Sequence, residues 1–202
     1  ARLGWSHGDE EIFTRDQMVQ WFDGSHLAKS PAQWDPAKLA WVNAHYMKAC
    51  DDTRLAGLLQ QQLSRRDVHT ADTALLARAA ALFKERCTTV VELADWAQML
   101  FMPAQASAED VGRHVTAQLA PALQDLRERL AGAPWDVAGI GAAVKATLAA
   151  QQIKMPQLAP AVRVLVCGRV QTPSLDAVLA LFARDAVLSR LQQPTHAPAA
   201  DL

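Results

Sequence analysis

Tyrosine is almost missing from this chain. A single Tyr and nine Gly stand in 202 residues of which half are hydrophobic. Little glycine beside abundant alanine and leucine argues against a sheet protein and for helices. Cysteine is scarce too: Cys50, Cys87 and Cys167 are odd in number and far apart, which excludes a disulfide framework or a paired-cysteine zinc site and suits reduced cytosolic thiols. Net charge is also lacking. Twenty basic residues against 21 acidic ones give −1, so the whole chain exerts no electrostatic pull on a polyanion. No apolar run reaches the length of a membrane span and the first residues are no signal peptide, so no membrane partner is expected. No glycine-rich phosphate loop, nucleophile elbow or metal-spaced histidine pair occurs, so the sequence yields no catalytic residue and no metal ligand. The six histidines are scattered, and Asp9-Glu10-Glu11 reads as a solvated loop before a helix. Ala1-Arg2-Leu3-Gly4-Trp5 opens without methionine, as if the chain were entered mid-element, and reads as a fragment.

Helical punctuation is plentiful. Thr14 stands three residues before Gln17, a capping-box spacing ahead of Met18, Val19 and Phe22. Asp35-Pro36 pairs an N-cap with proline at the first helical position, and Leu39, Val42, Tyr46 and Cys50 then share one face. Thr70 is expected to open a helix carrying Leu75, Leu76, Ala79, Leu82 and Phe83. Thr89 and Glu92 form a second capping box before Leu93, Trp96 and Leu100. Met102 to Ser107 is small and polar, a subdomain boundary. Ser107 to Ala131 is helical in pattern, with a break or kink at Pro121. Asp136 caps a helix to about Gln151, Gly168 marks a C-cap, and Thr172-Pro173 restarts a helix with Leu175, Val178, Leu179 and Phe182. Val162 to Cys167 is rich enough in β-branched residues for a strand, but it has no partner strand and reads as a buried helix. Most of the six tryptophans are expected in the core. The fold class is all-α, two or three small helical bundles in series.

One stretch is unbalanced. From residue 137 to 175 there is no acidic side chain, while Lys145, Lys154, Arg163 and Arg169 all fall there. Bases without acids suit an anionic backbone, though helix C-termini also favour cations.

Several segments resemble bacterial-type glutamyl-tRNA synthetases. Leu3-Gly4-Trp5-Ser6-His7-Gly8-Asp9-Glu10-Glu11-Ile12-Phe13 is similar to the stretch after that family's catalytic lysine loop. Lys29-Ser30-Pro31-Ala32-Gln33-Trp34-Asp35-Pro36-Ala37-Lys38-Leu39 and Trp41-Val42-Asn43-Ala44-His45-Tyr46 are similar to the following blocks. Lys154-Met155-Pro156-Gln157-Leu158-Ala159-Pro160-Ala161-Val162-Arg163, Gly168 and Thr172-Pro173-Ser174-Leu175 resemble its anticodon-binding bundle. The resemblance implies the tail of a stem-contact domain over residues 1–50, anticodon-binding subdomains over 51–104 and 105–193, and a frayed terminus over 194–202. It implies a class I synthetase part lacking the N-terminal Rossmann-type domain, with ATP and magnesium used only by the full-length enzyme. The partner would be glutamate tRNA, in the cytoplasm, with the protein a monomer.

The same resemblance carries site residues. Arg86, within Arg86-Cys87-Thr88-Thr89-Val90-Val91-Glu92, matches an arginine that reads the third anticodon base, and Arg163, Thr172 and Leu175 match positions lining the anticodon pocket. The chemistry agrees for Arg86. Glutamate anticodons end in cytosine, which presents acceptors that an all-donor guanidinium satisfies; glutamine anticodons end in guanine, which presents donors to donors. Helix-terminal cation is the competing account of Arg86, and intramolecular ion pair that of Arg163. A synthetase charging both tRNAs, and a helical protein-interaction module without an RNA role, remain the alternatives.

Overall fold

In a computed structural model, residues 4–25, 27–29 and 33–192 are described. The expected frayed end, 194–202, lies outside them. Eleven α-helices follow one another among these residues, with no strand beyond an isolated bridge between His7 and Glu10. The all-α class expected from composition is the one found.

The caps explain where the helices start. Helix α1 (Arg15–Trp21) opens on a reciprocal box, in which the Thr14 hydroxyl accepts from Gln17 N–H at 3.2 Å and Gln17 Oε1 accepts from Thr14 N–H at 2.8 Å. Helix α2 (Pro36–Ala49) starts where Asp35 Oδ1 accepts from the N–H groups of Ala37 and Lys38. Asp51 caps α3 (Asp52–Ser64) in the same way. Helix α4 (Thr73–Phe83) begins later than expected: Thr70 only takes the Asp72 N–H in a turn, and Asp72 is the cap, accepting from Leu75 N–H at 2.8 Å. At α5 (Val90–Ala97) Thr89 accepts from Glu92 N–H, but the Glu92 carboxylate reaches past Thr89 to the N–H and hydroxyl of Thr88. Those Thr88 hydrogen bonds hold the Glu92 carboxyl below the usual carboxylate range.

The pattern from Ser107 to Ala131 is two helices, α6 (Ala108–His114) and α7 (Ala120–Gly132). The break falls at Val115 and Thr116, and Pro121 lies in the first turn of α7, where its missing N–H costs nothing. Asp136 caps α8 (Val137–Ala150) through Gly139 N–H, and α9 (Met155–Cys167) absorbs the whole β-branched run. It stops at Gly168, whose φ of 70° is the left-handed conformation glycine adopts without cost. Two short helices finish the described chain, α10 (Leu175–Leu179), which starts after Ser174 without a side-chain cap, and α11 (Arg184–Leu191).

Two packing groups result. In the first, α3 lies against α4 and α5 and buries Leu55, Leu59, Leu63, Leu76, Phe83 and Leu93 completely or nearly so. In the second, α7 packs on α8 and α11, α8 on α10, and α9 on α6 and α11, around Leu126, Leu130, Ile140, Leu158, Val162 and Leu179. Their cores merge into one hydrophobic cluster. Three side chains or close approaches make the seam. A Cβ at Gly168 would come within 2.7 Å of Gln105 N, so backbone meets backbone there. The Arg169 guanidinium lies 4.3 Å from the Trp96 ring and donates to the Asp95 carbonyl at 2.9 Å. Arg190 donates to the carbonyls of Met99, Met102 and Val166 at 3.1, 2.6 and 2.5 Å.

Ahead of these groups the chain is more open. Trp5, Phe13, Trp21 and Phe22 meet edge to face, and His7 stacks on Trp21 with ring centroids 4.3 Å apart. Helix α2 buries only Met47. The face expected from Leu39, Val42, Tyr46 and Cys50 is not a core face: Leu39 and Tyr46 are each 52% exposed. Nor is any of the six tryptophans buried, and Trp34 and Trp41 stand 60% and 48% exposed.

Candidate nucleic-acid interface

Arg86 sits at the end of a single 3-10 turn, Lys84–Arg86, that continues α4. Its two neighbours in the turn are both tied down. Lys84 Nζ donates to the Cys50 carbonyl at 3.0 Å and pairs with Asp52 at 2.8 Å, while Glu85 meets Lys48 at 3.4 Å. Arg86 is exposed and makes no hydrogen bond or ion pair among the described residues. Its side chain therefore makes no hydrogen bond to the terminal carbonyls of α4, and the Lys84 ammonium is directed away to the junction of α2 and α3. Immediately after it, Cys87 is buried, with its thiol against the Phe83 carbonyl at 3.3 Å, and burial pushes the thiol up to about 11.

Arg163 and Thr172 come together in the second group. The Arg163 Nε donates to the Thr172 hydroxyl at 3.0 Å, and that hydroxyl donates on to the Pro173 carbonyl at 2.9 Å. Arg163 is half-buried and forms no ion pair among the described residues, so its charge is not spent on a carboxylate. Its two terminal nitrogens carry no hydrogen bond there. Leu175 is part of the core, 4% exposed. Arg86 stands on the other packing group. The expected site residues thus fall apart into a lone arginine, an arginine–threonine pair and a core leucine.

The acid-free stretch does not form one face of free bases. Lys145 and Lys154 are exposed, but Arg169 is turned onto Trp96. The cations that hold the frame were not singled out in the sequence. Arg66 donates to Asp95 at 2.7 Å, to Gln98 at 2.9 Å and to the Val91 carbonyl at 3.2 Å, beside a seam cavity of about 200 Å³ that Arg169 also lines. Lys84 reaches a carbonyl 34 residues back, and Arg190 reaches one 91 residues back. Arg66 and Lys84 follow the ends of α3 and α4, and Arg190 lies in α11, but a cation near a helix end does not name its partner. Among the described residues no group of three or more His, Cys, Asp or Glu is placed to hold a metal ion. None of their helices is long and apolar enough to cross a membrane. His45 is exposed and stacks on Trp41.

Residues 54–194 match the anticodon binding domain family. The chain belongs to that family. It also aligns with part of longer curated proteins. Glutamate–tRNA ligases of Leptothrix cholodnii and Polaromonas naphthalenivorans are 56% and 53% identical to it over 193 and 191 residues, each alignment covering 95% of this chain. The glutamate–tRNA ligase of Burkholderia vietnamiensis is 50% identical over 195 residues. The chain spans only 41–42% of the length of these curated relatives. A solved glutamate tRNA ligase from Elizabethkingia meningosepticum superposes on 95% of this anticodon-binding chain with a TM-score of 0.86, at 21% identity and over 38% of its own length. At that identity the likeness speaks for the fold.

Proposed function

We propose that this chain is the tRNA-recognising portion of a glutamate–tRNA ligase and grips the anticodon arm of glutamate tRNA. The observation that supports it most is the alignment of 95% of the chain with ligases of that name at 50–56% identity. ATP and magnesium belong, on this reading, to the part of the ligase outside the alignment, which activates glutamate, and the setting is the cytoplasm, with the protein a monomer. Arg86 reads the third anticodon base. It has only donors, so cytosine's acceptors satisfy it and guanine's donors do not. Arg163, oriented by Thr172, offers a guanidinium plane for a splayed base and free nitrogens for a phosphate, and Leu175 supports the pocket from the core. The boundaries 1–50, 51–104 and 105–193 are carried forward as the functional divisions.

A titration of glutamate tRNA into the purified chain at several salt concentrations tests this. Affinity should fall with salt, with a log–log slope of roughly −0.7 per neutralised phosphate on unpaired RNA. An affinity indifferent to salt would show that RNA is not the partner, and one equal for a tRNA of unrelated anticodon would show that the anticodon is not read.

A further inference from the structure

We infer that Lys84 is a positioning residue for Arg86, fixing the turn from which that arginine selects cytosine over guanine; this rests on the reading of Arg86 given above.

The geometry has three parts. The turn Lys84–Arg86 has no side-chain cap of its own, and a lone 3-10 turn holds its shape poorly. What holds it comes from elsewhere. Lys84, with its side chain only 16% exposed, runs across to the junction of α2 and α3, where it meets the Cys50 carbonyl at 3.0 Å and Asp52 at 2.8 Å. Beyond Arg86 the chain is fixed again, by the burial of Cys87, by the Glu92 carboxylate on Thr88, and by the Asn43 side-chain amide donating to the Thr88 carbonyl. Arg86 is therefore a free side chain on a backbone pinned on both sides.

That arrangement suits selection. A long flexible arginine on a mobile loop would find some acceptor on either base, and it would lose discrimination faster than affinity. A fixed origin limits the positions its fork reaches, so the donor-to-donor mismatch with guanine is felt. Of the anchors, Lys84 is the only one inside the turn that is shielded from water. The Glu85–Lys48 pair, with side chains 63% and 49% exposed, contributes little.

The test measures affinities of this chain for two RNA stem-loops that differ only in cytosine or guanine at the third anticodon position, at one salt concentration. Melting temperatures are recorded in parallel. In Lys84→Met the cytosine-to-guanine ratio should fall about fivefold, the low end of what one base-specific pair supplies. Asp52→Asn, which keeps the shape and one acceptor, should move the ratio the same way by less. In an Arg86→Ala background, Lys84→Met should change the ratio no further. A lowered melting temperature with an unchanged ratio in Lys84→Met overturns the inference and leaves the pair a stabilising contact only. If Lys84→Met does not fold, an unchanged ratio in Asp52→Asn overturns it instead. If Arg86→Ala alone leaves the ratio untouched, base reading by Arg86 fails first, and the two failures are told apart.

Discussion

Arg86 and Arg163 solve opposite problems. Around Arg86 the backbone is anchored and the side chain is free; around Arg163 the side chain itself is held, its Nε on the Thr172 hydroxyl. A free fork on a fixed origin can be matched or mismatched by a base edge. A fork already committed at one nitrogen presents a plane and a charge, which any base and any phosphate accept. On the proposed function, the difference separates reading from gripping, and each half of it can be attacked.

The most damaging change should be Gly168→Ala. It forces a side chain into the left-handed region and against the Gln105 backbone, so a loss of about 2–4 kcal/mol is expected in denaturant titrations. It should disturb the loop from 168 to 172 that carries Thr172, and leave the cytosine-to-guanine ratio set by Arg86 nearly as it was. A collapse of that ratio would mean the two regions are not separable. Next comes Arg86→Gln. The glutamine amide both donates and accepts, so discrimination between the two bases should narrow by about 1–3 kcal/mol, while glutamate tRNA loses less. Paired stem-loop affinities decide it, and an unaltered ratio reduces Arg86 to a surface cation. Arg163→Ala should be smaller and even-handed, weakening both stem-loops by about 1–2 kcal/mol through lost stacking. A base-dependent loss there would erase the contrast between the arginines.

The thiols supply the gentlest probe, with one in each region. Burial pushes Cys87 up to about 11 and Cys167 up to about 12, against an ordinary 9.0. The folded state thus holds these protons more tightly than the unfolded state does. Stability is therefore unaffected at neutral pH and falls as pH rises from about 9 toward those values. Thermal melts across that range should show the decline. Alkylation near pH 8 should reach half-buried Cys50 first, and Gly168→Ala should open Cys167 before Cys87.

Much of the fold could be read in advance because caps are local. Thr14 with Gln17, Asp35 with Pro36, and Gly168 each state a helix end through partners a few residues away. Burial is not local. The periodicity of α2 arranged Leu39, Val42, Tyr46 and Cys50 on one face, but periodicity does not say whether anything covers that face, and here it stays largely open. Thr70 failed as a cap for a local reason: Asp72 competes two residues on and reaches the Leu75 N–H. At the candidate site, residue identity for Arg86, Arg163, Thr172 and Leu175 came from resemblance. The Arg163–Thr172 bond spans nine positions, within reach of inspection. Lys84 was not legible at all, since its partner carbonyl lies 34 residues away and a lysine near a helix end is commonplace.

Arg190 sets an order in time. The Met102 carbonyl that it satisfies is made 88 residues before it, and that of Met99 is made 91 before. While the chain emerges from the ribosome, α3, α4 and α5 can pair as soon as they appear, since their contacts are close in sequence. The three carbonyls of Met99, Met102 and Val166 must wait on water until almost the whole second group has been synthesised. The first group is thus free to correct its own packing early, and Arg190, arriving with α11 as the second group closes, is among the last contacts to join the two.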